Sequence, residues 1–229
     1  MGHGVSCMCW RDGGVDAGSR RAWTELRDED DEDDEDEGPR EVRVALVGDT
    51  GVGKTTLARC FTEGVDGEDE DGRRSSRNSS TIGVECYARE VRHGGRAYRV
   101  VVVDCGGRRK YEGLAQGFLA RCDVALVAFD AGRGDTLDAA AAWVRTWKRS
   151  KYFADCPWVL LGLRCDGASA DAGVDAHARA QQLAAAEGAC CVLCASAYTG
   201  QNAETVFAET LRIAEDCRCR RNDVSCSPA

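Results

Sequence analysis

The chain of 229 residues is long enough for one ordinary domain with extended tails and too short for two. Its formal charge of −9 sits in the first 39 residues, which hold 4 basic and 13 acidic side chains; the rest is neutral and offers no basic stripe, which excludes nucleic-acid binding. Apolar residues make up 43% of the chain, enough for a packed core, and no apolar run reaches the roughly 18 residues of a membrane span.

The first residues, Met1, Gly2, His3, Gly4, Val5 and Ser6, fit the N-myristoylation pattern, and Cys7 and Cys9 follow as palmitoylation candidates. One acyl chain binds membranes only marginally and two bind stably, so Gly2, Cys7 and Cys9 together make the expected anchor; the alternative is an unmodified arm. Residues 28–37 are ten consecutive acids, a self-repelling block that cannot be buried. Residues 1–40 are therefore expected to be a disordered acidic arm, 41–216 the folded domain and 217–229 a flexible tail.

After Pro39, residues 42–47 predict a short β-branched strand. A helix is predicted over 54–61, then a Gly- and acid-rich loop. Strands follow at 84–92 and 97–103, joined by His93, Gly94 and Gly95. Buried strands are predicted at 123–129 and 158–163. Between them, 136–151 is helical, with Leu137, Ala140, Val144 and Trp147 on one face. A helix at 174–187, a strand at 190–194 and a helix at 202–216 end the pattern. Apolar strands separated by helices indicate an α/β fold, a parallel sheet covered on both faces. The 14 Cys show no paired metal spacing, and Cys190, Cys191 and Cys194 have no His nearby to complete a zinc site, so most are expected to be free thiols packed as small hydrophobes.

Between the first strand and first helix lie Gly48, Asp49, Thr50, Gly51, Val52, Gly53, Lys54 and Thr55, which match the eight-position phosphate-binding loop. The glycines let backbone N–H groups close on phosphate oxygens, the helix N-terminus through Thr56 adds its dipole, and Lys54 brings a charge to the outer phosphates. Thr55 is the expected Mg²⁺ ligand on this loop. A chance glycine-rich turn is the bland alternative.

Three further segments follow in order: Thr81, Ile82, Gly83, Val84 and Glu85; Asp104, Cys105, Gly106 and Gly107; and Ser196, Ala197, Tyr198, Thr199, Gly200, Gln201 and Asn202. Over about residues 41–216 this order of motifs resembles the small GTPases of the Ras superfamily, nearest the Rab branch. The resemblance implies a P-loop NTPase (Ras-like) fold with a mostly parallel six-stranded sheet and helices on both faces. It implies GTP and GDP with Mg²⁺ as ligands, Thr81 and Asp104 joining Thr55 at the metal, Gly107 meeting the γ-phosphate, and Ser196, Ala197 and Tyr198 bracing the guanine. Lys54, Thr81 and Arg108 hold the positions of the hydrolytic machinery.

The chain departs from the family pattern at several of these positions. Arg108 stands where the family has its catalytic Gln; a guanidinium has donors and no acceptor, so it cannot position the attacking water as an amide does. Slow intrinsic hydrolysis is expected, the alternative being a solvent-facing Arg without such a role. The base-recognition motif is here Leu163, Arg164, Cys165 and Asp166. Asp166 keeps the carboxylate that pairs with the guanine edge, at about 1.5–3 kcal/mol for each bond to a charged group. Leu163 loses the polar brace of the family's Asn, while Arg164 can lay its stem or planar head over the base. The interval between Phe61 and Thr81 is longer than in relatives and lacks their aromatic; Glu68, Asp69, Glu70 and Asp71 with Arg73, Arg74 and Arg77 form a solvated insertion or, alternatively, a partner contact. The family's aromatic effector patch corresponds to Cys86, Val103 and Phe118, so the usual Rab effectors are not expected to bind. At the C-terminus Cys217 and Cys219 are internal and Pro228 breaks the prenylation pattern beginning at Cys226.

The expected function is a monomeric GTP/GDP switch in membrane trafficking or signalling, on the cytosolic face of a membrane through its lipid anchor. Effectors, an exchange factor and a GTPase-activating protein are the implied partners. The alternative is a nucleotide-locked or nucleotide-free binding module. An ATP-dependent P-loop enzyme is disfavoured by Asp166 and the Ser196–Tyr198 loop.

Overall fold

A computed structural model describes residues 6–7, 38–64, 80–149, 156–167 and 170–225. Strands β1 (Ser6–Cys7), β2 (Arg40–Gly48), β3 (Val84–His93), β4 (Arg96–Cys105), β5 (Val124–Asp130), β6 (Trp158–Leu163) and β7 (Cys191–Ala195) form one sheet. Helices α1 (Lys54–Glu63), α2 (Glu112–Leu119), α3 (Gly134–Lys148), α4 (Ala170–Glu187) and α5 (Ala203–Ser225) cover it. The strand order is β1-β7-β6-β5-β2-β4-β3, and only β3 runs antiparallel to its neighbour.

The six strands from β2 to β7 are the expected mostly parallel Ras-like sheet. The seventh was not foreseen: Ser6 pairs with Cys191 and Cys7 with Val192, so two residues of the expected free arm add to the β7 edge. Sequence reading missed this because Ser6 and Cys7 lie outside any apolar periodicity and offer only backbone groups. It also placed no helix at α2, or at the 3₁₀ turn Arg109–Tyr111 before it, because Gly113 and Gly117 weaken the helical signal of an eight-residue segment. Helix α5 continues to Ser225, beyond the 202–216 expected.

The wholly buried strand β5 shows how the layers are made. Val124, Leu126 and Ala128 enter one core with Leu57, Phe61, Phe207 and Leu211 of α1 and α5; Ala125, Val127 and Phe129 enter the other with Leu119, Leu137, Val144, Trp147, Ala180 and Ala184 of α2, α3 and α4. Period-2 alternation thus feeds both faces, the reason the strand reads as a continuous apolar run. Phe61 stacks on Phe207 with ring centroids 3.8 Å apart, tying α1 to α5. The β3–β4 hairpin closes through Gly94 and Gly95 at φ 59° and 81°, the positive angles of a type I′ turn, with His93 opposite Arg96.

Register aligns the functional loops. Leu46 lies opposite Asp104, Gly48 opposite Ala128, Asp130 opposite Leu163, and Leu163 opposite Ala195, so the loops after β2, β4, β5, β6 and β7 emerge along one edge. Ligands of open α/β sheets bind outside this carboxyl end.

Candidate functional site

The loop after β2 turns through Gly48, Gly51 and Gly53 at φ 141°, 80° and 108°. A Cβ on Gly48 would collide with the Ala128 carbonyl oxygen of β5, so only glycine fits both the angle and the approach. Val52 is fully buried and anchors the turn, Thr50 N–H donates to Asp49 Oδ1 at 2.7 Å, and Gly53 precedes α1. Lys54 is 6% exposed and folds back along the loop, Nζ donating to the Gly48 and Asp49 carbonyls at 3.0 and 2.7 Å. Burial lowers its pKa, with the charges of Asp104 and Asp49 opposing. Thr56 is exposed.

The three expected metal ligands converge although 26 and 23 positions separate them in turn. Thr55 Oγ1 lies 2.8 Å from Thr81 Oγ1 and donates to Asp104 Oδ2 at 2.5 Å; Thr81 Oγ1 lies 3.2 Å from the same oxygen. Asp104 is fully buried, and among the described residues its Oδ1 has no hydrogen-bond partner. Burial raises its carboxyl above the usual range, while the Thr55 hydrogen bond and the Lys54 charge pull it down. Two hydroxyls beside a buried carboxylate with one oxygen free form an all-oxygen donor set that suits a hard divalent cation such as Mg²⁺.

Gly107 closes this site against the phosphate loop. A Cβ there would lie 2.5 Å from Asp49 C and Thr50 N, so the turn after β4 touches the cradle backbone. Gly106 N–H donates to the Gly83 carbonyl at 2.9 Å, joining that turn to the segment carrying Thr81. Arg108 follows immediately and is exposed. Of the expected effector patch, Cys86 is exposed opposite a buried Val103 and Phe118 is half-buried; outside that patch, Ile82 beside Thr81 is 80% exposed.

The base-side loops leave adjacent strands at the same level. Leu163 is 1% exposed, shares one core with Val52 of the phosphate loop, and would lie 3.7 Å through its Cδ1 from a Cβ placed on Gly53. Arg164 has φ 59°, a left-handed conformation that a non-glycine residue adopts at about 1–2 kcal/mol, and the turn closes when Gly167 N–H donates to its carbonyl at 3.2 Å. Asp166, within that turn, is exposed. From the neighbouring strand come Ser196, fully buried, half-buried Ala197, and Tyr198, 66% exposed. Ser196 Oγ accepts from Thr199 N–H at 3.2 Å, holding its own loop.

The motifs did not single out Asp130. It is 4% exposed at the end of an otherwise apolar strand, accepting from Gly132 N–H at 2.9 Å and from Arg164 at 3.0 Å. An acid terminating such a strand was the available signal. Gly2, Cys9 and residues 65–79, with their charged insertion, lie outside the described residues; Cys7 is placed by its backbone alone. Among the described residues no helix is long and apolar enough to cross a membrane.

Comparison with known proteins places residues 43–216 on the sequence profile of the Ras family. The human Ras-related protein Rab-19 is 28% identical over 125 residues, 54% of this chain and 53% of that protein. The human Ras-related protein Rab-36 is 28% identical over 172 residues, 75% of this chain and 61% of that protein. Ras-related protein Rab7 of Cenchrus ciliaris is 24% identical over 169 residues, 72% and 78% of the two chains. The match spans about half the length of the Rab-19 relative.

Proposed function

The chain belongs to the Ras family, and from that premise we propose that it is a Rab-like GTP/GDP switch in membrane trafficking or signalling, with slow intrinsic hydrolysis. The observation that carries this reading is the meeting of Thr55, Thr81 and Asp104 within 2.5–3.2 Å beside Lys54, with Asp104 Oδ1 buried and unsatisfied. Mg²⁺ bound there would supply charge neutralisation to phosphate oxygens.

The chain's own residues do the remainder. The amides of Gly51 to Thr55 cradle phosphate oxygens, and Lys54 exchanges its two carbonyl partners for the outer phosphates. Thr81 and the Asp104–Gly107 turn, joined through Gly106, are the elements whose ordering depends on the terminal phosphate, and the adjoining surface is what effectors read. Asp166 selects guanine, with the Ser196–Tyr198 loop beside it. Gly2, with Cys7 and Cys9, attaches the chain to the cytosolic face of a membrane, where an exchange factor and a GTPase-activating protein act on it.

A second reading, a binding module that retains its nucleotide without turnover, is favoured by Arg108, which offers no acceptor to water. One experiment separates the readings. Purified protein is expected to take up GTP and GDP in a magnesium-dependent manner and to ignore competing ATP. Arg108→Gln is expected to raise single-turnover hydrolysis about tenfold or more, a barrier change of about 1.4 kcal/mol. Absence of uptake, or equal uptake of adenine nucleotides, defeats the switch reading. GTP retained unhydrolysed by both proteins supports the binding module.

A further inference from the structure

The ion pair between Arg164 and Asp130 lies at the base side of the candidate site. Asp130 ends β5 and Arg164 follows β6; the strands are neighbours, and Asp130 pairs in register with Leu163. Its backbone is held on both sides. Asp130 N–H donates to Thr136 Oγ1 at 2.9 Å, that hydroxyl lies 2.6 Å from the Arg133 carbonyl, and Ala131 N–H donates to the Leu163 carbonyl at 2.8 Å. Its carboxylate is divided: Oδ1 accepts from Gly132 N–H, and Oδ2 accepts from Arg164 Nη1 at 3.0 Å.

The two partners differ in exposure. The Asp130 side chain is 5% exposed and that of Arg164 57%, so a buried, fixed carboxylate holds one edge of a guanidinium that is otherwise open. The Arg164 Nε lies 4.0 Å from where a Cβ on Gly53 would stand, placing the group beside the last glycine of the phosphate loop. A planar cation held at its edge, with much of its surface open and a phosphate cradle at its side, is an aromatic stacking platform.

We propose that Asp130 is a positioning residue for nucleotide binding: it fixes the plane of Arg164 so that the guanidinium forms one wall of the purine pocket. This rests on the nucleotide-binding reading above. Lysine at 164 would keep the charge and lose the plane, whereas glutamine would keep a planar polar head and lose the ion pair. The loop beneath, with Arg164 at φ 59°, sets the direction from which the side chain reaches both Asp130 and the phosphate loop.

The test is a double-mutant cycle read on release of fluorescently labelled GDP from the full chain with Mg²⁺. Asp130→Asn is expected to speed release about five- to tenfold when Arg164 is present and less than twofold in the Arg164→Ala background, the non-additivity of residues that act as a unit. Arg164 is mostly exposed, so a second series guards against misfolding of the buried variant. Arg164→Lys should release GDP at an intermediate rate and Arg164→Gln several-fold faster than wild type. Equal acceleration by Asp130→Asn in both backgrounds would assign Asp130 a general structural role and overturn the inference, as would wild-type release from Arg164→Gln. Wild-type protein that takes up no labelled GDP overturns both this inference and the reading beneath it; uptake with additive effects overturns this inference alone.

Discussion

At Asp104 the opposing demands of stability and binding fall on one carboxylate. It is fully buried, accepts two hydroxyl hydrogen bonds on Oδ2 and, among the described residues, leaves Oδ1 unsatisfied, so in metal-free protein a charge is held at a desolvation cost that the two hydroxyls and the nearby Lys54 charge only partly offset. Asp104→Asn should therefore raise the melting temperature in chelator by roughly 2–6 °C, corresponding to about 1–2 kcal/mol in a domain of this size. The same variant should lose magnesium-dependent uptake of GTP. Calorimetry in chelator and nucleotide binding with magnesium check the two halves; a variant less stable than wild type in chelator would show that the carboxylate is already satisfied. The glycine turn between β2 and α1 was legible in sequence because its spacing alone specifies it. Asp130 was marked only as an acid ending an apolar strand, a weak signal, because the contact that singles it out is with Arg164, 34 positions away.

Elements were legible where burial is two-sided and less so where it is not. Strands β5 and β6 announce themselves as apolar runs, and the β3–β4 hairpin by its paired glycines, whereas α2 carries two glycines in eight residues and was missed. The site depends on elements that touch no ligand position. Helix α1 begins at Lys54, and its far end is held by Phe61 stacked on Phe207 of α5, with Arg89 5.2 Å from the Phe61 ring centroid. Both phenyl rings are fully buried. Phe207→Ala is expected to cost about 3–5 kcal/mol in denaturant unfolding. A loss below about 1 kcal/mol would mean that α5 repacks freely and that the start of α1 is held by the sheet alone.

For the molecule as a whole, the sheet has two unlike ends. One is the β3–β4 hairpin, whose far ends lead into the segments around Thr81 and Gly107; the other is β7, extended by Ser6 and Cys7. An uncovered edge strand offers unpaired N–H and C=O groups to any extended chain, and here the protein's own N-terminal residues meet part of that demand. Cys7→Pro, which removes a backbone donor, is expected to speed amide exchange in the 191–193 segment about tenfold without changing exchange in β4. Unchanged exchange at 191–193 would mean that this edge gains no protection from the pairing.

The seating of Ser6 at that margin has a geometric corollary. An extended chain covers at most about 3.6 Å per residue, so a fatty acid on Gly2 would enter the bilayer within roughly 14 Å of Ser6. Strands stack about 4.8 Å apart, which puts β3 roughly 29 Å across the sheet from β1. An anchor at that position, if carried as proposed above, would keep the β7 edge nearer the point of attachment than the β3 edge, which carries Cys86.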